Sequence, residues 1–458
     1  MTDIDYTPLV KAIRGDVVLP QDEEYDEARR IWNAMVDKRP ASIVYCQNVN
    51  DAKNALVFAR EKGLPIAIRG GGHGVAGKAV VDDGMVIDMS RMKGIRVDTT
   101  TNRVWAQAGC TLGDVDPETQ AYGLVVPFGV VSLTGIAGLT LGGGLGHVMR
   151  SCGLTCDNLV SADIITAEGE ILTVDENRHP DLFWALRGGG GNFGIVTAFE
   201  YQAHKIGPMV AAGGVTWAAE DAPEVLRFLN DFMATAPDEL GVVTAFTRVS
   251  DSPTAPTELR GRLVFGATLV WNGTVADGMA AFAPIREFGA PLLDTVQPML
   301  FTDLQRRRDG SSPARQSYWK SGYIADITDG FIDVVMEYVQ KTSGTTIVEV
   351  VALGGAVARI PADATAFGSR DGRFAYGIFG LWDDPAENAD QMAWIRAFHE
   401  ALQEHSVGGA YINYVDTDEA ERMAAIYGGG YERLAQIKAK YDPENLFRIN
   451  HNIVPAGR

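Results

Sequence analysis

The most constraining feature of the sequence is one loop, residues 69–77, which reads RGGGHGVAG. An apolar run at residues 64–68 precedes it, and a strand-like stretch at residues 85–89 follows it. Glycines let backbone N–H groups approach a ligand closely, and successive N–H groups form a concave site for phosphate oxygens. The loop therefore predicts a site for a phosphorylated cofactor around His73.

Glycines of this loop also satisfy the spacing G-x-G-x-x-G, which is typical of nicotinamide dinucleotide sites. That spacing indicates such a site only when the glycines lead from a strand into a helix. Residues 78–90 carry no helical apolar period and predict a turn followed by a strand. A second match, at residues 189–194, also precedes a strand-like stretch, residues 195–203. We therefore exclude a nicotinamide-binding Rossmann site at both places.

Length and composition indicate a soluble globular protein. The 458 residues suffice for two domains or one large domain, and 46% of them are hydrophobic. We find neither an apolar run of ~18 residues nor a signal-peptide pattern, so we expect a cytoplasmic protein. The net charge of −19, from 40 basic and 59 acidic residues, opposes binding to nucleic acid or to an anionic membrane.

The cysteines and histidines predict neither disulfides nor a metal site. The four cysteines (Cys46, Cys110, Cys152 and Cys156) are too few and too scattered for a disulfide framework. Cys152 and Cys156 lie close in sequence, but no histidine pair or second cysteine pair completes a zinc site. We therefore expect no bound metal.

The first part of the chain predicts helices and strands that lead into the glycine loop. Residues 22–39 are acidic first and basic last, and they predict a helix. The following segment predicts a β-α-β unit whose helix has Asn50 as its N-cap and stops at Gly63. His73 would then lie at the end of a strand, where α/β units bind ligands.

Two further glycine-rich segments follow, residues 135–146 (GIAGLTLGGGLG) and residues 180–196 (PDLFWALRGGGGNFGIV). Between them, residues 159–176 alternate like a β-hairpin. A glycine-rich segment with few polar side chains is either a flexible turn or a backbone wall against a flat ligand, and the neighbouring first loop favours the wall. Three such segments imply a long ligand held mainly by backbone, which favours FAD over a mononucleotide.

The second half of the chain predicts an α+β domain with a largely antiparallel sheet. Predicted strands lie at residues 209–216, 240–247, 262–270, 346–353 and 374–381, with predicted helices at 223–234 and 388–402. Residues 305–317 are basic and polar and predict a mobile loop. The aromatic and amide-rich C-terminal segment, with a predicted helix at 431–441, should return to the first domain. The predicted divisions are therefore 1–206, 207–408 and 409–458.

Several motifs together resemble the berberine bridge enzyme-like flavoproteins of the vanillyl-alcohol oxidase, or PCMH-type FAD-binding, superfamily. They are RGGGHGVAG, GLTLGGGLG, GLTCDNLVSADIITAEGEI, DLFWALRGGGGNFGIVT and YDPENLFRINHNI, and they follow the order and spacing of the family. The resemblance spans essentially the whole chain. It implies an α+β fold, in which a PCMH-type FAD-binding domain precedes a second α+β substrate domain with a mainly antiparallel sheet covered by helices.

The resemblance implies that the ring of His73 is bonded to the 8α-methyl carbon of the flavin. A histidine that only donates or accepts a hydrogen bond in the loop is the alternative. Many family members form a second link from a cysteine shortly before the Gly-Gly-Gly run, where this sequence has Val131. This departure predicts a single covalent bond. We interpret Cys156, which lies further along, as structural.

The resemblance also implies which residues contact the FAD. Most of them belong to the glycine loops and the C-terminal motif: Arg69, Gly70, Gly71, Gly72, His73, Gly74, Gly77, Gly135, Gly138, Gly142, Gly143, Asn158, Gly194, Val196, Asn450 and Asn452. Each could instead be an ordinary turn or cap residue, but the presence of three glycine loops in one domain favours contact with the cofactor.

By the same resemblance, the protein oxidises an alcohol or amine carbon by hydride transfer to flavin N5, with O2 as acceptor and H2O2 as product. Tyr411, Asn413 and Tyr414 match a family motif, and either tyrosine is a candidate base. A phenol with a pKa near ~10 needs a nearby cation to serve as a base at neutral pH. The candidate cations are Arg315, Lys320 and Arg370.

Residues of the second domain should contact the substrate. Our candidates for this contact are Tyr318, Lys320, Arg370, Tyr376 and Trp382, with Trp319 as a further aromatic residue of the pocket. Val75 stands where many family members have a tyrosine, so a plant-type active site is not expected. Substrates from sugars and oligosaccharides to amines, phenols and polyketide-like compounds remain open.

Three alternatives to an oxidase remain open from the sequence. The first is a dehydrogenase on the same scaffold with a non-oxygen acceptor, and the second is an oxidative cyclase or tailoring enzyme of natural-product metabolism. The third is a non-catalytic binding protein, against which the intact His73 and glycine loops argue. The partners expected are a small-molecule substrate and O2, and the chain is expected to be a monomer or homodimer.

Overall fold

The computed structural model describes residues 4–251, 255–309, 315–341 and 346–458. Up to residue 206 its strands are β1 (Asp16–Val18), β2 (Ser42–Tyr45), β3 (Ile66–Arg69), β4 (Met85–Asp88), β5 (Ile95–Asp98), β6 (Arg103–Gln107), β7 (Leu124–Val125), β8 (Leu159–Ile165), β9 (Ile171–Val174), β10 (Ile195–Gln202) and β11 (His204–Lys205). Its helices there are α1 (Thr7–Ala12), α2 (Tyr25–Ala28), α3 (Val49–Lys62), α4 (Leu112–Gln120), α5 (Ile136–Leu141), α6 (Met149–Cys152) and α7 (Pro180–Leu186).

These strands form two sheets and one short pair. The first sheet has the order β1-β2-β4-β3, in which β2, β4 and β3 run parallel and β1 is antiparallel to β2. The second has the order β5-β6-β10-β8-β9 with antiparallel neighbours, and β11 pairs with β7. The predicted β-α-β unit is confirmed, with β4 inserted between its two strands.

Helix α3 of this unit has a defined residue at each end. The side chain of Asn48, one residue before the helix, accepts a hydrogen bond from the backbone N–H of Asp51. Gly63 ends the helix with φ of 65°, in the left-handed region that favours glycine. The end at Gly63 is therefore confirmed, whereas the predicted N-cap Asn50 is wrong because Asn48 holds that place.

The predicted helix at residues 22–39 is wrong, because only α2 is helical there. The segment after α2 instead makes long-range hydrogen bonds. The backbone N–H of Trp32 donates to the carbonyl of Gly72 over 3.1 Å. The side-chain amide of Asn33 donates to the carbonyls of Val75 and Ser317 over 2.7 and 2.9 Å. These tertiary bonds replace the i to i−4 bonds of a helix and attach the segment to the glycine loop.

The second half contains an eight-stranded antiparallel sheet within the described residues. Its strands are β12 (Met209–Ala218), β13 (Leu240–Arg248), β14 (Leu263–Trp271), β15 (Leu293–Asp294), β16 (Gln297–Leu300), β17 (Gln316–Ile324), β18 (Ile347–Ala352) and β19 (Phe374–Trp382). Its helices are α8 (Ala222–Met233), α9 (Val275–Ala281), α10 (Ala283–Arg286), α11 (Phe301–Arg306), α12 (Asp329–Val339), α13 (Gly355–Arg359) and α14 (Asn388–Leu402). The predicted strands and helices of this half are confirmed.

One face of this sheet is covered by helices, because α8, α12 and α14 pack their apolar residues against it. Strands β13, β18, β19 and β17 lie side by side, and β17 forms an edge that pairs with β19. The predicted loop at residues 305–317 is wrong at its two ends, since α11 and β17 extend into it. Residues 310–314 of that prediction lie outside the described residues.

The C-terminal segment packs on the first domain. It contains α15 (Met423–Tyr427) and α16 (Tyr431–Tyr441), and α16 has the predicted bounds. Ile412 and Leu434 share a buried cluster with Phe183, and Phe447 shares another with Ile195. Among the helices that the structure describes, none has the length and apolar composition that crossing a membrane requires.

Candidate active site

A large cavity lies where the first domain, the second sheet and the C-terminal segment meet. Its empty volume is about 2150 Å³, part of which is open solvent at the mouth. All three glycine-rich segments reach it, and the second domain contributes Arg308, Trp319, Ile347, Glu349, Phe379 and Leu381. Such a cavity can hold a long ligand together with a second, smaller molecule.

The first two glycine segments touch each other through backbone. A Cβ atom built on Gly71 would lie 2.6 Å from the backbone of Gly135, so neither position has room for a side chain. Gly72 has φ of 65°, in the left-handed region. The two loops therefore present a continuous backbone wall to the cavity, as the sequence predicts for a cofactor held by N–H groups.

His73 lines this wall. The Nε2 atom of its ring is buried and has no hydrogen-bond partner in the described part of the chain. The ring stacks on Trp32 with centroids 4.8 Å apart and an angle of 19° between the planes. Burial lowers the pKa of His73 to about 4, so the imidazole is neutral at neutral pH. A neutral, unpartnered ring nitrogen is a nucleophile that can bond to a cofactor.

The third glycine segment is held by the C-terminal motif. Lys438 is fully buried, and its ammonium donates to the carbonyls of Asn192 and Phe447 over 2.6 and 3.0 Å and to the carboxylate of Asp442 over 2.5 Å. The amide of Asn450 donates to the carbonyl of Gly191 over 3.0 Å. Its own Oδ1 is buried without a partner among the described residues. An acceptor of this kind suits a donor on a bound ligand.

Ten of the residues predicted to contact FAD line the cavity: Gly70, Gly71, Gly72, His73, Gly74, Gly135, Gly138, Gly194, Val196 and Asn450. Six others do not: Arg69, Gly77, Gly142, Gly143, Asn158 and Asn452. The sequence identifies the segments of the wall, but it does not identify which residue of each segment faces the ligand.

Five of the six residues away from the cavity have other contacts, and Asn452 has a buried Oδ1 without a partner among the described residues. Arg69 forms a buried ion pair with Asp88, which fixes the strand before the loop. Positions 142 and 143 pack against Asn413 and Phe367 respectively, so their glycines make room for side chains rather than for a ligand. Asn158 donates to the carbonyls of residues 152 and 154. Position 77 packs against residue 36.

Tyr411 reaches the cavity, but its hydroxyl oxygen is occupied. It accepts hydrogen bonds from the backbone N–H groups of Gly144 and Leu145 over 3.0 and 3.2 Å. The amide of Asn413 donates to the same oxygen over 2.9 Å. Burial raises the pKa of Tyr411 to about 12, despite these donors. Tyr411 therefore holds the second glycine segment in place and is a weak candidate for a base.

Tyr414 also lines the cavity, and its hydroxyl makes no hydrogen bond within the described chain. Its ring meets Trp319 and Phe379 edge-on, with centroids 5.6 and 4.9 Å apart. Burial, and secondly the charge of Glu349, raise the pKa of Tyr414 well above its ordinary value. Tyr414 is therefore a neutral phenol that can donate a hydrogen bond to a substrate.

Glu349 and Arg308 are residues of the cavity that the sequence analysis missed. The guanidinium of Arg308 donates to Glu349 Oε2 over 2.9 Å, which supplies the counter-charge that a buried carboxylate requires. The other oxygen, Oε1, has no hydrogen bond among the described residues. The available signal was a single glutamate inside the apolar strand IVEVVA, because charged side chains are rarely buried and mark candidates for a functional site.

The candidate substrate residues on β17 and β19 face away from the cavity. Trp319 faces the cavity, so its neighbours Tyr318 and Lys320 face the helices on the other side of the sheet. The hydroxyl of Tyr318 donates to Asp418 over 2.5 Å, and the ammonium of Lys320 binds Asp418 and Glu419 over 2.8 and 2.6 Å. None of these polar groups reaches the cavity.

The remaining candidates also lie elsewhere. Tyr376 and Trp382 are buried against helix α14, and the indole N–H of Trp382 donates to Asn388 over 2.7 Å. Arg370 forms a buried ion pair with Asp157 over 2.6 Å. Arg315, the third candidate cation, pairs with the exposed Asp383. A different arginine, Arg308, is the one whose charge acts on Tyr414.

Comparisons with known proteins identify the family of the chain. Residues 40–175 match the family described as FAD binding domain, and residues 410–454 match the family described as Berberine and berberine like. A Bacillus subtilis (strain 168) protein named Uncharacterized FAD-linked oxidoreductase YgaK is 33% identical over 455 residues, which cover 97% of this chain and 98% of the relative. The chain belongs to the berberine bridge enzyme-like family of FAD-linked oxidoreductases.

Solved structures of this family share the fold. 6-Hydroxy-D-nicotine oxidase from Arthrobacter nicotinovorans superposes with a TM-score of 0.87 at 26% identity, over 98% of this chain and 99% of that chain. Glucooligosaccharide oxidase from Acremonium strictum, described with a 6-S-cysteinyl, 8α-N1-histidyl FAD, superposes with a TM-score of 0.86 at 24% identity, over 98% and 99%. The predicted family, the PCMH-type α+β fold and the enzyme class are confirmed.

The residues of the cavity fit an FAD. Three segments present backbone rather than side chains, His73 Nε2 is an unpartnered ring nitrogen, and Asn450 Oδ1 is an unpartnered acceptor. These groups match a cofactor with phosphate oxygens, a reactive carbon and polar ring atoms. The protein is therefore an FAD-linked oxidoreductase whose cofactor site and second-domain wall share one cavity.

Proposed function

We propose that the protein is an oxidase that carries FAD on His73 through a single covalent bond. It oxidises an alcohol or amine carbon of a small molecule, with O2 as electron acceptor and H2O2 as product. When bound, FAD would supply the two-electron acceptor that this oxidation requires. The neutral, unpartnered ring nitrogen of His73 supports the bond, and Val131, which lines the same cavity, has no atom for a second one.

The observation that carries this proposal is the meeting of three groups in one cavity. His73 belongs to the first domain, Glu349 to the second sheet, and Tyr414 to the C-terminal segment, and all three line the same space. An alcohol or amine that gives up a hydride from carbon must also lose a proton from its oxygen or nitrogen, so a base must stand within hydrogen-bond reach of that heteroatom. Of the three groups, Glu349 is the one that can supply this base.

We assign Glu349 as the proton acceptor and Tyr414 as the group that holds the substrate heteroatom. A phenol whose pKa is raised well above its ordinary value remains protonated and donates a hydrogen bond at neutral pH. Glu349 Oε1 is a carboxylate oxygen without a partner among the described residues, and it can receive the proton. Arg308 keeps that carboxylate in place. Of the two tyrosines considered from the sequence, Tyr414 is thus favoured over Tyr411.

Flavin spectra and peroxide release test the proposal together. Under anaerobic conditions, an oxidisable substrate should bleach the flavin absorbance, and admission of O2 should restore it with one peroxide per turnover. Glu349→Gln should lower the anaerobic bleaching rate by about 10²–10⁴-fold, the usual contribution of general base catalysis. Bleaching that O2 does not reverse would indicate a dehydrogenase. A Glu349→Gln variant with the wild-type rate would contradict the assigned base.

A further inference from the structure

One side of the cavity is a wall of rings from three parts of the chain. The ring of Trp319 meets Phe379 at 4.8 Å and Trp32 at 5.3 Å, in both cases edge-on. Tyr414 meets the two second-domain rings in the same way, and Ile347 and Leu381 extend the apolar surface. We call these four aromatic residues, Trp32, Trp319, Phe379 and Tyr414, the ring wall.

The ring wall presents few polar atoms to a substrate. Its unpartnered polar groups within the described chain are the hydroxyl of Tyr414 and the buried indole N–H of Trp319, and Glu349 lines the same cavity. A sugar unit carries several hydroxyl groups, each of which loses hydrogen bonds to water when it enters a site without partners. In the part of the chain that the structure describes, this wall provides fewer donors and acceptors than the hydroxyl groups of an oligosaccharide require.

A planar ring system suits the same wall. Aromatic faces and edges attract one another at centroid distances of 4.5–7 Å, and the four rings already pack at such distances. Glu349 is the one carboxylate among the described residues that line the cavity, and its Oε1 can accept a hydrogen bond from a ligand. The polar end of a substrate should lie there, next to Tyr414.

We infer that the substrate is a planar, largely apolar ring compound with one hydroxyl or amine donor on the carbon next to the ring, and that it is not an oligosaccharide. The inference rests on the proposed function. The ring of the substrate packs on the ring wall, and its donor binds Glu349 Oε1 and the hydroxyl of Tyr414. The carbon that bears the donor is then the one that loses a hydride.

The test compares two sets of probes on the flavin-loaded enzyme. The ring probes are benzyl alcohol, benzylamine and 2-naphthalenemethanol, and the sugar probes are cellobiose and maltose. We measure kcat and KM by peroxide release, and binding by quenching of tryptophan fluorescence under anaerobic conditions. At least one ring probe should bind and be oxidised with a kcat/KM about tenfold or more above that of either sugar, corresponding to at least one stacking contact.

Variants on one strand supply a matched control. Trp319→Leu should raise KM for the ring probes about tenfold, because it removes the central ring of the wall. Tyr318→Phe, on the next residue and the opposite face of β17, should leave KM unchanged. Melting temperatures identify a variant that merely folds less well, and Trp319→Phe should then recover most of the affinity.

Two results would overturn the inference. One is efficient oxidation of cellobiose or maltose, and the other is a failure of all ring probes to bind. Either result leaves the proposed function standing if the flavin is covalently attached and O2 reoxidises it after chemical reduction. Loss of the covalent flavin would instead overturn the proposed function itself.

Discussion

The rings of Trp32 and His73 stack with centroids 4.8 Å apart and 19° between their planes. The backbone N–H of Trp32 also donates to the carbonyl of Gly72, the residue before the histidine. Its ring meets Trp319 of the second domain edge-on. One residue from a short N-terminal segment therefore contacts the imidazole, the cofactor loop and the second domain.

Trp32→Leu should slow attachment of the flavin to His73. A stacking contact contributes about 0.5–1.5 kcal/mol, so its loss should reduce the attachment rate roughly two- to tenfold. The measurement is the fraction of flavin that stays with the polypeptide after acid precipitation, followed over time after FAD is added to apoprotein. Trp32→Phe keeps a stacking ring and should attach flavin near the wild-type rate. Unchanged attachment in Trp32→Leu would show that the stacking has no part in it.

Arg370→Met should destabilise the fold without changing substrate affinity. Arg370 and Asp157 are both buried, and removing one partner of such a pair leaves an uncompensated charge at about 3–5 kcal/mol. Urea unfolding measures this loss. Arg227→Met is the matched control, since it breaks an exposed pair with Asp329 and should change stability little. A large rise in KM with unchanged stability would return Arg370 to the substrate site.

Acid should destabilise the protein partly through His399. Burial, and then the charges of Lys320 and Arg422, lower its pKa to about 4. Between pH 6.5 and 4 the unfolded chain therefore binds a proton that the folded chain does not, so stability falls as pH falls. His399→Gln should remove roughly 3 kcal/mol of this pH dependence. The free energies of unfolding of both proteins at pH 7 and pH 4 give the difference, and parallel profiles would contradict it.

The sequence predicts much of the fold because many of its signals are local. Helix α16 has the predicted bounds, and Gly63 ends α3 as its left-handed conformation requires. The predicted helix at residues 22–39 fails because Trp32 and Asn33 bond to residues far along the chain. Propensity reports the preference of an isolated segment and contains no information about such partners.

The same holds for the site, where local motifs could be predicted from the sequence and contacts between distant residues could not. The glycine motifs locate the cofactor wall, because glycine has no side chain and allows the backbone to approach a ligand closely. The choice between Tyr318 and Trp319 requires the face of β17 that meets the first domain, and both residues are aromatic. The pairing of Glu349 with Arg308 joins positions on separate elements, and only the folded chain brings them together.

Acid denaturation of the purified yellow protein tests the central claim most directly, in wild type and in His73→Ala. The claim is one covalent bond between the flavin and His73. We predict that flavin fluorescence stays with the wild-type polypeptide and leaves with the denatured variant, while both proteins bind FAD before denaturation. Release of flavin from the wild type, or retention by His73→Ala, would contradict the claim.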